Sequence, residues 1–386
     1  MIGGSKMLLL KNGKIFTMAN SQVIYGDILI NDGKIVDINS SINEPKAEII
    51  DVSNHIVTPG FIDGHCHLGI VESGVGAVGN DMDEKSNTIS PQLIVENGIN
   101  TMDSSFEDAV KVGVTTVSIA PSESNVIGGK SCVFKTYGNN LDKRVVKSQS
   151  ALNISIGDFV KRLNDVMVEM PRSRMAITYM TRNFLQHAKK YYDETKDGNV
   201  DMKKYNEKYE SVKSVFKKET KVEVCAHKAQ DIQTALRLKE EFDLDLILTF
   251  FTEGYMIENQ VDKNIPLMLG PYLTDKSNYE LLNRNSSSPA IFCSKGFITC
   301  LITNHPEVSI ELLPICAAVG IKYGMSYEDA LKAITINPAK ALSVEDRVGS
   351  IEVGKDADLV VFDGDPFKAR TKTVVTIVDG EIAYRR

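Results

Sequence analysis

Between residues 59 and 343 the sequence alternates short, nearly unbroken apolar runs with stretches of helical period. The apolar runs read VTTVSIA, ALNISI, KVEVCAH, LDLILTFF, IPLMLG and FITCLIT, with FEDAVKVG, DIQTALRLKEEFD and YEDALKAITINPAKAL among the helical stretches. A strand without a polar face must be covered on both sides, and strand–helix–strand connections provide that cover in a parallel sheet. About eight such units close into a barrel. The alternative is an open doubly wound sheet, but no glycine-rich phosphate loop follows the first strand. The expectation is therefore an α/β chain with a (β/α)8 barrel over 59–343.

The two ends have a different texture. Residues 7–57 and 348–385 read as short β-runs punctuated by NG and DG pairs, which are hairpin signals. Neither end has enough strands for a stable sheet alone. The spacing predicts one small β-sandwich built from both termini, 1–58 plus 344–386. Residues 160–220 break the barrel rhythm with a charged stretch, HAKKYYDETKDGNVDMKKYNEKYESVKSVFKKE, read as a solvent-facing helical insertion beside the pocket.

Composition narrows the function classes. A net charge of −7 leaves no basic footprint for nucleic acid or a membrane surface. The apolar runs fall short of the roughly 20 residues needed to span a bilayer, and the first residues lack a signal-peptide pattern. Six cysteines without pairing-type spacing suit a reducing cytoplasm. The expected partner is a small-molecule substrate or ligand, with a homo-oligomer left open.

The sharpest chemical signal is VTPGFIDGHCHLG at 57–69. Strand alternation points His65 and His67 the same way with Cys66 opposite, and two imidazoles at one strand end can chelate a divalent metal. A lone HxH pair also occurs as ordinary packing. Here it follows PG and an apolar strand, and the segment resembles the first barrel strand of the amidohydrolase superfamily. The C-terminal run ALKAITINPAKALSVEDRVGSIEVGKDADLVVFDGDPF resembles the segment that leads these enzymes out of the barrel into the sandwich, and SNVIGGKSCVFKTYG with HKAQDIQTAL downstream is similar to the imidazolonepropionase-like branch.

That resemblance implies one or two divalent metals. The ligands would be the HxH pair, a Glu or carboxylated Lys from strand three or four, and a His each from strands five and six. An Asp ending strand eight would act as base. Strand five would bring Cys225 to the usual ligand position, with His227 two residues on as a second candidate; the same cysteine could simply be a small buried residue. On strand six Phe250 stands where a His is expected, and Tyr255 lies where relatives often carry another. The strand-eight Asp is Asn304, which cannot take a proton, followed by His305. Asp158 replaces a Glu after ALNISI and is a candidate water or metal contact. Lys130 and Lys135 face either an anionic substrate or solvent, and His55 and His187 are read as structural.

Two functions follow from these departures. One is a metal-dependent hydrolase of a C–N bond in a cyclic amide or related small molecule, with a depleted site. It would hold at most one divalent metal per chain, zinc first, or none. The other is a catalytically silent barrel that binds a small molecule or a homologous subunit.

Overall fold

The computed structural model describes residues 7–19, 23–162, 171–197 and 202–386. From the N-terminus come β1 (Leu8–Phe16), β2 (Val23–Asn31), β3 (Lys34–Asn39), β4 (Glu48–Asp51) and β5 (Ile56–Pro59). Eight strands then build the barrel: β6 (Phe61–Cys66), β7 (Val114–Ile119), β8 (Ile127–Lys135), β9 (Val145–Ser155), β10 (Lys221–Ala226), β11 (Leu246–Phe250), β12 (Leu267–Leu269) and β13 (Thr299–Leu301). The chain ends with β14 (Leu359–Phe362), β15 (Thr373–Val378) and β16 (Glu381–Arg385).

Both termini share one sheet, in the order β16-β15-β14-β5-β1-β2-β3 with β4 paired to β1. The two ends of the chain meet where β14 runs antiparallel to β5, Val361 opposite Val57. Leu8, Leu10, Ile28, Ile30, Val57, Leu359, Val361 and Ile377 give this sheet its own core. The DG pairs at 32–33 and 379–380 are the expected hairpin turns, both residues of each at positive φ. The NG pair at 12–13 is not a turn. It is a bulge within β1, where the register to β2 shifts between Leu10 and Gly13, and Asn12 N–H donates to Asp27 Oδ1 at 2.8 Å.

The barrel sheet runs β6 through β13 in chain order. β13 lies beside β6, tied by His67 N–H to His305 O (2.9 Å) and Asn304 N–H to His65 O (3.3 Å), so the barrel is nearly closed. Seven strands are parallel and β8 is antiparallel to β7 and β9. β8 runs through the GGK and FK of SNVIGGKSCVFKTYG, which makes ALNISI, at the end of β9, the fourth strand of the barrel. The outer faces pack on the helices through Val117, Leu152, Val224 and Leu248. Ile62, Val133, Cys225, Ile247, Met268, Cys300 and Ile302 fill the interior. Gly64 makes room for that filling: a Cβ there would stand 2.5 Å from Met268 Sδ.

Lys130 and Lys135 are buried on β8 and face neither a substrate nor solvent. Lys130 Nζ donates to Gln149 Oε1 at 2.7 Å. Lys135 Nζ sits among Asp358 (2.8 Å), Asp379 (3.0 Å) and Asp356 (3.1 Å), tying the barrel to the terminal sheet. Within the expected insertion, residues 163–170 and 198–201 lie outside the described residues. A 22-residue helix, Arg174–Thr195, and the short helices Glu207–Glu210 and Lys213–Phe216 account for much of the rest. Phe184, Tyr191 and Tyr209 join them by ring contacts of 5.5 and 5.9 Å. Among the described residues, no helix is long and apolar enough to cross a membrane.

Candidate metal centre

The C-terminal ends of the barrel strands converge on a cavity of about 430 Å³, which His67, Glu123, Cys225, His227, Phe250, Asn304 and Glu307 help to line. At its floor His65 is fully buried between two carboxylates. Its Nδ1 lies 2.6 Å from Glu223 Oε1 and its Nε2 3.2 Å from Glu123 Oε1. Burial alone would lower this imidazole, but the two carboxylates outweigh it and push it up to about 10. Burial would likewise raise Glu123; the hydrogen bond from His65 and the charge of that ring hold it down at about 2.

His67 Nδ1 lies 2.7 Å from the Ala120 carbonyl, which can only accept, so that nitrogen carries the proton. The lone pair of Nε2 is thereby turned toward Glu123 Oε1, 3.7 Å away. Fixing one ring nitrogen so that the other faces a cation is the usual support of a histidine ligand. Asp63 steadies the frame, accepting from His65 N–H at 3.2 Å and from Thr303 N–H at 3.2 Å, so β6 and the strand-eight loop share one anchor. Its complete burial pushes its carboxyl up to about 6.

Strand five contributes three residues. Glu223 is fully buried; its Oε1 also accepts from Thr249 Oγ1 at 2.6 Å, and its Oε2 has no hydrogen-bond partner. Cys225 is 5% exposed, and burial pushes its thiol well up. His227 Nδ1 lies 2.8 Å from Thr252 Oγ1, and burial pushes the ring down to about 4, so it is neutral. Phe250 stacks on His227 with centroids 4.5 Å apart and meets His65 edge-on at 5.7 Å. The aromatic ring thus fills the slot between two histidines. Phe250, Phe251 and Asn304 all have positive φ, at 70°, 50° and 50°. Such backbone strain costs about 1–3 kcal/mol per residue and persists where the surroundings fix it, often at functional sites.

The remaining candidates separate. Asn304 lines the cavity, and its Nδ2 donates to Glu307 Oε2 at 3.1 Å while Oδ1 is buried without a partner. His305 is turned aside: its Nδ1 accepts from Ile310 N–H at 3.1 Å. Asp158 begins a short helix, ion-paired with Lys161 and 3.8 Å from Arg174, and is not among the lining residues. Tyr255 donates to Asn283 O at 3.0 Å, away from the cavity. His55 and His187 contact backbone carbonyls, Ser53 O at 2.7 Å and Asn183 O at 2.8 Å.

Two donor groups could hold a cation, His65–His67–Glu123 and His65–Glu223–Cys225, each with its ligand atoms within 4.8 Å of one another. The donor chemistry fits a divalent ion once His65 gives up its extra proton: neutral imidazole, carboxylate and thiolate are zinc-type ligands. The orphaned Glu223 oxygen is a buried acceptor of the kind a cation satisfies. Glu123 and Glu223 escape motif reading. Glu223 did leave a signal, since a charged residue inside the apolar run KVEVC must be paired if it is buried. Glu123 left none beyond being an acid in the turn after β7.

The Amidohydrolase family model matches residues 56–384. The chain belongs to the amidohydrolase family. This amidohydrolase is 34% identical to the amidohydrolase from Thermotoga maritima MSB8, whose crystal structure superposes with a TM-score of 0.94, covering 98% of this chain and 100% of that one. It is 27% identical to the imidazolonepropionase of Clostridium tetani, over 96% of this chain and 92% of the relative. Amidohydrolase tasK of Hapsidospora irregularis is 24% identical over 99% of this chain, which spans only 44% of that relative's length. The crystal structure of molinate hydrolase, 17% identical with a TM-score of 0.60 over 98% of this chain and 94% of that one, shares the fold.

Proposed function

We propose that this amidohydrolase cleaves a C–N bond of a small cyclic amide or related molecule with a divalent ion held by His65, His67 and Glu123. The carrying observation is the approach of two imidazole Nε2 atoms, at 3.2 and 3.7 Å, to one Glu123 oxygen. When bound there, such an ion acidifies water and polarises a carbonyl. The bond class comes from the family and its imidazolonepropionase relatives.

The chain's own residues would move the proton. Asn304 cannot accept one, but Glu307, three residues on, lines the same cavity with Oε2 fixed by Asn304 Nδ2. Burial, together with Glu123's charge, pushes the Glu307 carboxyl above the usual glutamate value. The carboxylate takes a proton from water as the oxygen adds to the carbonyl carbon; the C–N bond then breaks and the carboxyl returns the proton to the leaving nitrogen. Asp158 and His305, the other candidates singled out in the sequence, do not line the cavity.

A second reading, binding without turnover, is favoured by Phe250, whose ring fills a slot that would otherwise admit a ligand. Elemental analysis of protein purified without chelator, beside hydrolysis of a hydantoin, dihydrouracil and N-acetyl amide panel, separates the two. Metal lost in His67→Ala and Glu123→Ala supports the seat, and full retention in both overturns it. Metal bound without turnover decides for the silent barrel.

A further inference from the structure

We propose that one wall of the cavity is an apolar subsite, and that the ring admitted there carries an uncharged alkyl or aryl substituent rather than an ionised one. The ring itself rests on the cyclic-amide reading above; the substituent is what the wall adds.

Two segments build the wall. After β9 the chain turns at Gly157 into the short helix Asp158–Arg162, and after β12 a loop returns through Pro271 to Leu281. A buried carboxylate joins the two, Glu280 Oε1 accepting from Asp158 N–H at 2.7 Å. Gly157 permits that approach, since a Cβ there would stand 2.4 Å from the same oxygen. Ile156 and Val160 of the first segment and Pro271 and Leu281 of the second are buried and line the cavity, with Phe159 half-buried among them.

Charge complementarity decides what this wall takes. Glu123, Glu280 and Glu307 line the cavity, whereas among the described residues no lysine or arginine does. Lys228 pairs with Glu253, and Arg284 donates to Pro271 O at 3.0 Å and to Thr274. A carboxylate substituent would therefore lose hydration and meet only acids. A cationic one would meet carboxylates that already have partners: His65 at Glu123, Asn304 at Glu307 and Asp158 N–H at Glu280. An alkyl group gives up no favourable hydration, and each CH₂ it buries tightens binding about fourfold. The cavity of about 430 Å³ lies low in the usual small-molecule range of about 300–1,000 Å³, which suits a ring with a substituent of a few carbons.

The test is calorimetric titration of the full chain with 3-substituted cyclopentanones, which keep a ring carbonyl and have no ring C–N bond, so affinity is read without turnover. Isobutyl, carboxymethyl and amidinomethyl substituents are close in shape and carry no charge, a negative charge and a positive one. The isobutyl ketone should bind at least tenfold more tightly than cyclopentanone itself and than either charged analogue. Phe159→Ala and Leu281→Ala should each cut its advantage over cyclopentanone at least threefold; Phe159 is half-buried, so its truncation serves should Leu281→Ala not fold. A charged analogue binding as tightly as isobutyl, no gain over cyclopentanone, or a gain that survives truncation overturns the subsite. Amide hydrolysis is read separately. A chain that grades the ketones but cleaves no amide keeps the subsite and loses the hydrolase reading; one that cleaves amides without grading the ketones loses the subsite alone.

Discussion

Lys135→Met keeps the buried side-chain stem and removes only the ammonium. Burial would lower this lysine, but Asp358, Asp379 and Asp356 outweigh it and raise it, so the charge is present at neutral pH. The three carboxylates feel its loss unequally. Asp356 keeps Lys34 at 2.6 Å and Arg347 at 2.9 Å. Asp379 has a side chain 41% exposed and can be hydrated. Asp358 has a side chain 3% exposed and retains only Thr116 Oγ1 at 3.3 Å and Asp379 N–H at 3.0 Å. The expected cost is therefore that of one uncompensated buried charge, about 3–5 kcal/mol, not three. Lys135→Met/Asp358→Asn removes that charge at nearly constant shape and should recover at least about 1 kcal/mol, a coupling of the size seen for contacting residues. Urea unfolding read by circular dichroism and tyrosine fluorescence is a clean assay, since the chain has no tryptophan. A single mutant within about 1 kcal/mol of wild type, or a double mutant weaker than the single, would falsify the assignment of the cost to Asp358.

Three further outcomes concern the site. Glu307→Gln should lower kcat by about 10²–10⁴, the usual worth of a general base, while metal content stays unchanged; equal kcat would remove Glu307 from the chemistry. Because the base must be ionised and burial raises its carboxyl, wild-type kcat should fall as pH drops through a value above the free glutamate's 4.3 or so. An acid limb persisting in Glu307→Gln would assign it elsewhere. Phe250→His puts an imidazole in the ring's place beside His65 and should tighten zinc at least tenfold, and adding Asn304→Asp should help by more than the sum of the singles; unchanged affinity in a zinc titration would show that this position does not reach the ion.

Much of the site was legible where chemistry follows a local pattern. The HxH spacing on an apolar strand placed His65 and His67 together because alternation is a property of the strand itself. The resemblance to the family's barrel strands also pointed to Phe250 and Asn304, both of which line the cavity. Glu123 and Glu223 were not legible, because what makes a carboxylate a partner is the distance to an imidazole 58 or 158 residues away along the chain. Asp158 and His305 had suitable chemistry, but their local hydrogen bonds and ion pairs turn them from the cavity.

By itself, the sequence determined the barrel, the shared terminal sheet and two of its hairpins. Apolar runs of period two and helices of period 3.6 must bury matching faces, and that demand is written locally. Only the tertiary structure decided that IGGKSCVFK is an antiparallel strand. Lys135, read from sequence as facing a substrate or solvent, is buried there because it meets three aspartates from the far end of the chain. Tertiary structure likewise decided which acids face the histidines, since barrel closure sets those distances and they have no counterpart in sequence separation.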